Sequence, residues 1–332
     1  MAIMASYVIV AMLIWLLMLV LTITVLVLVI RALLRMNHEP SLSTRTGSAG
    51  SNPPISADGP LFAARHRVLM ALLAGAVVLV AGLVINDALP QSMYLIAALT
   101  PGLAASAVMA VIALPFPDAP VRRTTAGVRV ASLESREPWT YARRYVLMQP
   151  LLAAALLIAY LGFTMATASP DDSGLMRNIS LTNRNGELVS SSGPYPGAYY
   201  AVPLIVVTLV LVALTCLALW RIAHAPSSPD PRYAEEDKAW RVLLTRFAVF
   251  LSSGAMLAYA VGVLVVAGAA TVRVGTNYGS LPPAYADDVY PTLGNAQIIM
   301  GGVVAVVACI YLVLACISAV RLWTSPNRGV RR

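Results

Sequence analysis

The chain has 332 residues, 59% of them hydrophobic and only 11% charged, against about 25% charged in a soluble domain. That balance excludes an ordinary soluble fold, and the length counts in membrane spans instead. The formal charge of +8 is no sign of a nucleic-acid binder, because the basic residues punctuate apolar runs rather than gathering on one folded face.

A bilayer core about 30 Å thick takes about 20 apolar residues as helix. Seven segments reach that length: 7–30, 68–86, 92–114, 145–168, 198–220, 247–272 and 296–320. In hydrocarbon each must satisfy its own backbone, so each is expected to be helical. The first has no basic lead-in and no small-residue cleavage site, so it reads as a retained anchor. Residues 36–59 are rich in Ser, Pro and Gly without periodicity and read as a flexible cytoplasmic linker. Pro101 is expected to kink the third span.

Orientation follows from the basic residues. The loops 31–67, 115–144 and 221–246 and the tail 321–332 hold five, six, five and four of them, 20 in all. The opposite side holds only Arg177, Arg184 and Arg273. The N-terminus is therefore expected outside and the C-terminus inside. The expected architecture is an all-α transmembrane bundle of seven helices, a lone first helix followed by three hairpins, within a single membrane domain. Arginine makes up 22 of the 23 basic residues, Lys238 being the other, which points to a GC-rich bacterial genome and to the bacterial cytoplasmic membrane.

On the cytoplasmic side, Glu137-Pro138-Trp139 is a helix-start signal that sets Trp139 beside Arg143 and Arg144 at headgroup level. Asp230-Pro231 starts a second, amphipathic helix whose first turns carry Glu235, Glu236 and Asp237, where the helix dipole favours anions. Asp237 and Arg241 sit four apart and can pair, with Trp240 beside them. Trp139, Arg143, Arg144, Trp240 and Arg241 are the candidate docking residues for a cytoplasmic partner. A solvated, lipid-facing surface uses the same residue types.

The extracytoplasmic loops are 169–197 and 273–295. In the first, alternation over Ile179–Thr182 and Glu187–Ser190 flanks Asn185-Gly186, which tolerates the positive φ of a tight turn. A small β-hairpin is expected there. Tyr195-Pro196, Tyr199 and Tyr200 follow, and Asp287-Asp288 and Tyr290-Pro291 echo them in the second loop. Tyr195, Tyr199, Tyr200, Tyr290, Asp287 and Asp288 are the candidate extracytoplasmic interaction residues. Interfacial anchoring is the plainer use of the tyrosines. Within the membrane, Gly254, Ala258 and Gly262 make a small-xxx-small face for helix packing or self-association.

No Asp, Glu, Lys, Arg or His falls well inside a span, where ion- and proton-coupled carriers place such groups. Neither a phosphate-binding glycine motif nor a hydrolase or zinc signature is present, and Cys216, Cys309 and Cys316 have no metal spacing. No catalytic centre, cofactor or metal is expected. In Arg129–Leu133 and Gly193–Tyr200 the chain resembles uncharacterised multi-pass membrane proteins of actinobacteria. The resemblance implies a gene context shared with ABC-transporter ATPases and GntR-type regulators. The expected function is a non-catalytic membrane subunit or accessory protein of a transport or export system, whose partners are the bilayer, a cytoplasmic ATPase or another membrane subunit, or a second copy. An extracytoplasmic ligand sensor is the alternative, followed by a lipid-modifying enzyme using Asp171, Asp172, Asp287 and Asp288.

Overall fold

A computed structural model describes residues 60–88, 95–115, 137–182, 187–226, 234–276 and 289–324. The expected first span, the 36–59 linker, the turn 183–186, and Asp287 and Asp288 lie outside the described residues. The helices are α1 (Pro60–Ala88), α2 (Leu95–Ala113), α3 (Pro138–Tyr141), α4 (Arg144–Thr167), α5 (Ala198–His224), α6 (Ala234–Thr276) and α7 (Val289–Thr324). Three strands, β1 (Ser169–Pro170), β2 (Met176–Thr182) and β3 (Leu188–Ser192), lie between α4 and α5. Six of the helices are long and apolar enough to cross a membrane, so the chain is a multi-pass membrane protein.

Helix α6 is the axis of the bundle. Of its apolar window 67% is buried, against 22–44% for the other five long helices, and it packs on all of them. The amphipathic stretch that starts near Glu235 and the span behind it are one continuous 43-residue helix, because no proline breaks the ladder and Trp240, Leu244 and Phe247 carry a buried face across the junction. Helix α4 is the most lipid-exposed of the set, with Met148, Leu152, Leu156 and Phe163 all on its surface.

Helices α6 and α7 form the tightest pair. Buried positions on α7 recur every seven residues in two interleaved series, Gly294, Gly301, Ala308, Ala315 and Ile298, Ala305, Leu312, Ala319. A sustained 3.5-residue repeat keeps one seam against its partner and imposes a left-handed supercoil. Small residues in that seam let the backbones close in. Gly268 meets Gly294, Gly275 meets Pro291, Val265 lies at Gly301 and Leu312 lies at Gly254. As one chain number rises the other falls, so the pair is antiparallel.

Most of the small hydroxyls buried in the bundle are used by their own helices, the Ser253 hydroxyl being buried with no partner. Thr100, Ser106, Thr208, Thr215, Ser252, Thr271 and Ser318 each donate to the carbonyl four residues earlier. In α2, Pro101 has no amide to give to the ladder, and the Thr100 hydroxyl just before it bonds Ile96 O at 2.7 Å. One hydroxyl pair also crosses between helices, Thr208 of α5 and Tyr259 of α6, at 2.7 Å.

Candidate functional site: the two ends of the bundle

Contacts between helix termini define a basic end. Arg65 at the start of α1 donates to Leu322 O at the end of α7 at 2.9 Å. Arg67 donates to Ile112 O, Leu114 O and Pro115 O at the end of α2. Arg241 near the start of α6 donates to Ile222 O, Ala223 O, Ala225 O and Pro226 O at the end of α5, at 2.8–3.3 Å. The last carbonyls of a helix have no partner inside it and carry the negative end of its dipole. Each of these helix ends therefore receives a guanidinium from a neighbouring helix.

Arg241 is the deepest of the three, 2% exposed. Its Nε donates to Asp237 Oδ2 at 3.0 Å, and Trp240 Nε1 donates to Asp237 Oδ1 at 2.8 Å. The guanidinium lies over the Tyr141 ring of α3 at 5.6 Å and over Trp240 at 4.9 Å. The i,i+4 pair expected from the sequence is thus formed, but inside the fold. Trp240 and Arg241 have no exposed surface to offer a partner, which corrects the docking expectation for these two residues. Trp139, Arg143 and Arg144 do face outward. Arg144 stands 5.9 Å over the Trp139 ring, and Arg143 stands 6.0 Å over Tyr145 while donating to its hydroxyl at 3.2 Å. Trp220, with Arg221 over it at 5.1 Å, adds a third such pair at the end of α5.

The opposite end carries the sheet, in strand order β1-β2-β3 and antiparallel throughout. Ser169 pairs with Asn178, and Ile179, Ser180 and Leu181 pair with Ser192, Ser191 and Ser190. A two-stranded ribbon alone is marginal in water. Here Ile179 and Tyr195 pack on Ala267, Ala270 and Val274 of α6, with Tyr160 and Tyr290 beside them. Tyr195 is 1% exposed. Its amide donates to Arg177 O at 2.7 Å and its hydroxyl pairs with Thr167 at 2.7 Å, while burial pushes its phenol up from the usual tyrosine range and the Thr167 bond acts the other way. It is a peg holding the sheet to the bundle rather than a platform for a ligand. Tyr200 is buried as well, edge-on to the half-buried Tyr199 at 4.9 Å. Tyr199 also lies 5.8 Å beneath Arg177. Tyr290, expected on the second loop, stands in the first turn of α7 and is half-buried.

Asp171 organises the turn at the base of the sheet. Its Oδ1 accepts from the Ser173 amide and hydroxyl and the Leu175 amide at 2.7–2.9 Å, and Arg177 pairs with Oδ2. Desolvation acts upward on this carboxyl, but those donors outweigh it and hold it at about 2 against an ordinary 3.8. A depressed folded value means a contribution fully present above the unfolded value and lost as the pH falls through the folded one. We expect amide-exchange protection of β1 and β2 to weaken as the pH drops from 3.8 towards about 2. The Asp171→Asn protein should show no such dependence, and an equal acid response in both would refute this account.

The expected packing face divides. A Cβ on Gly254 would lie 2.9 Å from Leu312, so this glycine does seat α7, whereas Gly262 has nothing within 4 Å and Ala258 is half-buried. The contacts that matter, Gly268 to Gly294 and Gly275 to Pro291, follow a seven-residue spacing instead of the four-residue one. Among the described residues no three His, Cys, Asp or Glu side chains come together as a metal site would require. No protein-family model, no curated protein and no solved structure matches the chain.

Proposed function

We propose that the chain is a non-catalytic subunit or accessory protein of a bacterial transport or export system, in the cytoplasmic membrane. It has seven spans counting 7–30, the N-terminus outside and the C-terminus inside. The distribution of polar chemistry carries this reading. Thr208, Thr215, Ser252 and Thr271, buried in the bundle, bond their own helices, while the exposed basic and aromatic groups stand at the end where 20 of the 23 Lys and Arg residues fall. A membrane subunit built this way meets its partner through the loops 115–144 and 221–246, and the resemblance to actinobacterial proteins encoded beside ABC transporters agrees with a cytoplasmic ATPase as that partner. The test is affinity purification from native membranes, with and without replacement of 116–136 by a neutral linker. An ATPase recovered with the native chain and lost with the replacement is the expected result. Recovery of no ATPase, or equal recovery from both, sinks the reading.

The sensor reading rests on a narrower observation, the Arg177 guanidinium over the half-buried Tyr199 ring. Tyr195 and Tyr200 are buried, so among the three tyrosines of the first outer loop Tyr199 is the one with surface left for a ligand.

A further inference from the structure

We propose that the corner between α3 and α4, together with the end of α5, is a seat for the phosphate headgroup of an anionic phospholipid. Three arginines here, Arg143, Arg144 and Arg221, are each laid over an aromatic ring, Tyr145, Trp139 and Trp220. Among the described residues none of the three faces a carboxylate at ion-pair distance, in contrast to Arg177 and Arg241. The Nε of Arg221 is buried with no hydrogen-bond partner, a donor left without an acceptor. Helix α3 packs on α5, so the three pairs share one end of the bundle. The rings are about half exposed, 47–61%, as tyrosine and tryptophan are at headgroup level.

What marks the occupant as a lipid is the surface that continues from the charges into the membrane. Arg144 is followed at four-residue steps by Met148, Leu152 and Leu156, all on the open face of α4 and 57–65% exposed. Residues four apart stack along one side of a helix, so a guanidinium at the top leads into an apolar track for acyl chains. The start of α4 adds to the field: Arg143 makes no side-chain cap, and the amides at a helix N-terminus favour an anion. A docked protein would use the charges and rings but not a track that runs down the span. The inference needs only the membrane reading and holds whether or not an ATPase docks on 116–136.

The test uses the full-length protein in detergent with equal amounts of phosphatidylglycerol and phosphatidylcholine, retained lipid being read by native mass spectrometry. Phosphatidylglycerol is expected to be retained in preference. Arg143→Gln with Arg144→Gln should weaken that retention about 25-fold, fivefold for each charge near the surface, and Arg246→Gln, at an exposed arginine outside the seat, should leave it unchanged. Excess inorganic phosphate should not displace the lipid; displacement would mean a site for a soluble anion and overturn the proposal. Equal retention of the two lipids, or undiminished retention in the double variant, would overturn it too. Should the double variant not fold, bromine-labelled lipids answer the question in the native chain. Stronger quenching of the Trp139 fluorescence, taken as the difference from Trp139→Phe, by the glycerol than by the choline lipid supports the seat, and equal quenching refutes it.

Discussion

Replacing Arg241 by alanine is expected to destabilise the folded protein by about 3–5 kcal/mol, the cost of breaking a buried ion pair by removing one partner. The residue is 2% exposed and its five N–H donors are all in use, on Ile222 O, Ala223 O, Ala225 O, Pro226 O and the Asp237 carboxylate. Alanine leaves the Asp237 carboxylate without its cation, a side chain only 12% exposed, and leaves the end of α5 facing the start of α6 with unpaired carbonyls. It also removes the cation lying over Tyr141 of α3. Arg241→Lys should recover only part of the loss, because an ammonium has three donors on a point charge and cannot reproduce a planar fork spread over four carbonyls and a carboxylate. The measurement is thermal or denaturant unfolding in a fixed detergent, with trypsin cleavage near 226–238 as a local readout. A melting curve for Arg241→Ala that overlies that of the native protein would dispose of the idea, as would full rescue by lysine.

Arg241 also shows where sequence reading reaches and where it stops. Its pairing with Asp237 was legible, because a four-residue separation on a helix fixes proximity without any knowledge of the fold. Its bonds to 222–226 were not, because they need the end of α5 to lie beside the start of α6, and no local spacing encodes that. The same holds for Arg65 and Arg67. Both read as topology signals, and both also close the ends of helices remote in sequence. The apolar runs were visible because about 20 uncharged residues have one stable form in hydrocarbon, so six long apolar helices follow from composition alone. Tyr195 was legible as an interfacial ring but not as a buried peg, since its burial depends on the sheet folding over α6. The α6–α7 seam lies between these cases. Gly254, Gly268 and Gly275 stand at multiples of seven, as do Gly294 and Gly301, and that spacing is visible in the chain. A search for small residues four apart selects Gly254, Ala258 and Gly262 instead, and two of those three are not where the backbones close.

The glycines themselves supply the sharpest test of that seam. A Cβ built on Gly294 would lie 2.5 Å from Gly268 O and 2.8 Å from Val272 N, and one built on Gly268 would lie 2.6 Å from Gly294 O. The obstructing atoms are backbone, so no side-chain rotation relieves them and the two helices must separate. Because α6 packs on every other long helix, that displacement cannot stay local. Gly294→Ala is therefore expected at the upper end of the overpacking range, about 3 kcal/mol, and Gly294→Leu should prevent α7 from docking in its native register. Gly262, on the partner helix α6, is the control, with nothing within 4 Å of its added Cβ. There alanine meets no clash and removes the backbone freedom that glycine loses on folding, so Gly262→Ala should be neutral or stabilise by about 0.5–1 kcal/mol. Unfolding midpoints of the two alanine variants, measured side by side in one detergent, separate the alternatives. Opposite shifts of these sizes are what a backbone-to-backbone seam at Gly268 and Gly294 requires. Equal tolerance at 294 and 262 would mean that α7 does not lie on α6 in this register, and a larger loss at 262 would return the contact face to the four-residue spacing of Gly254, Ala258 and Gly262.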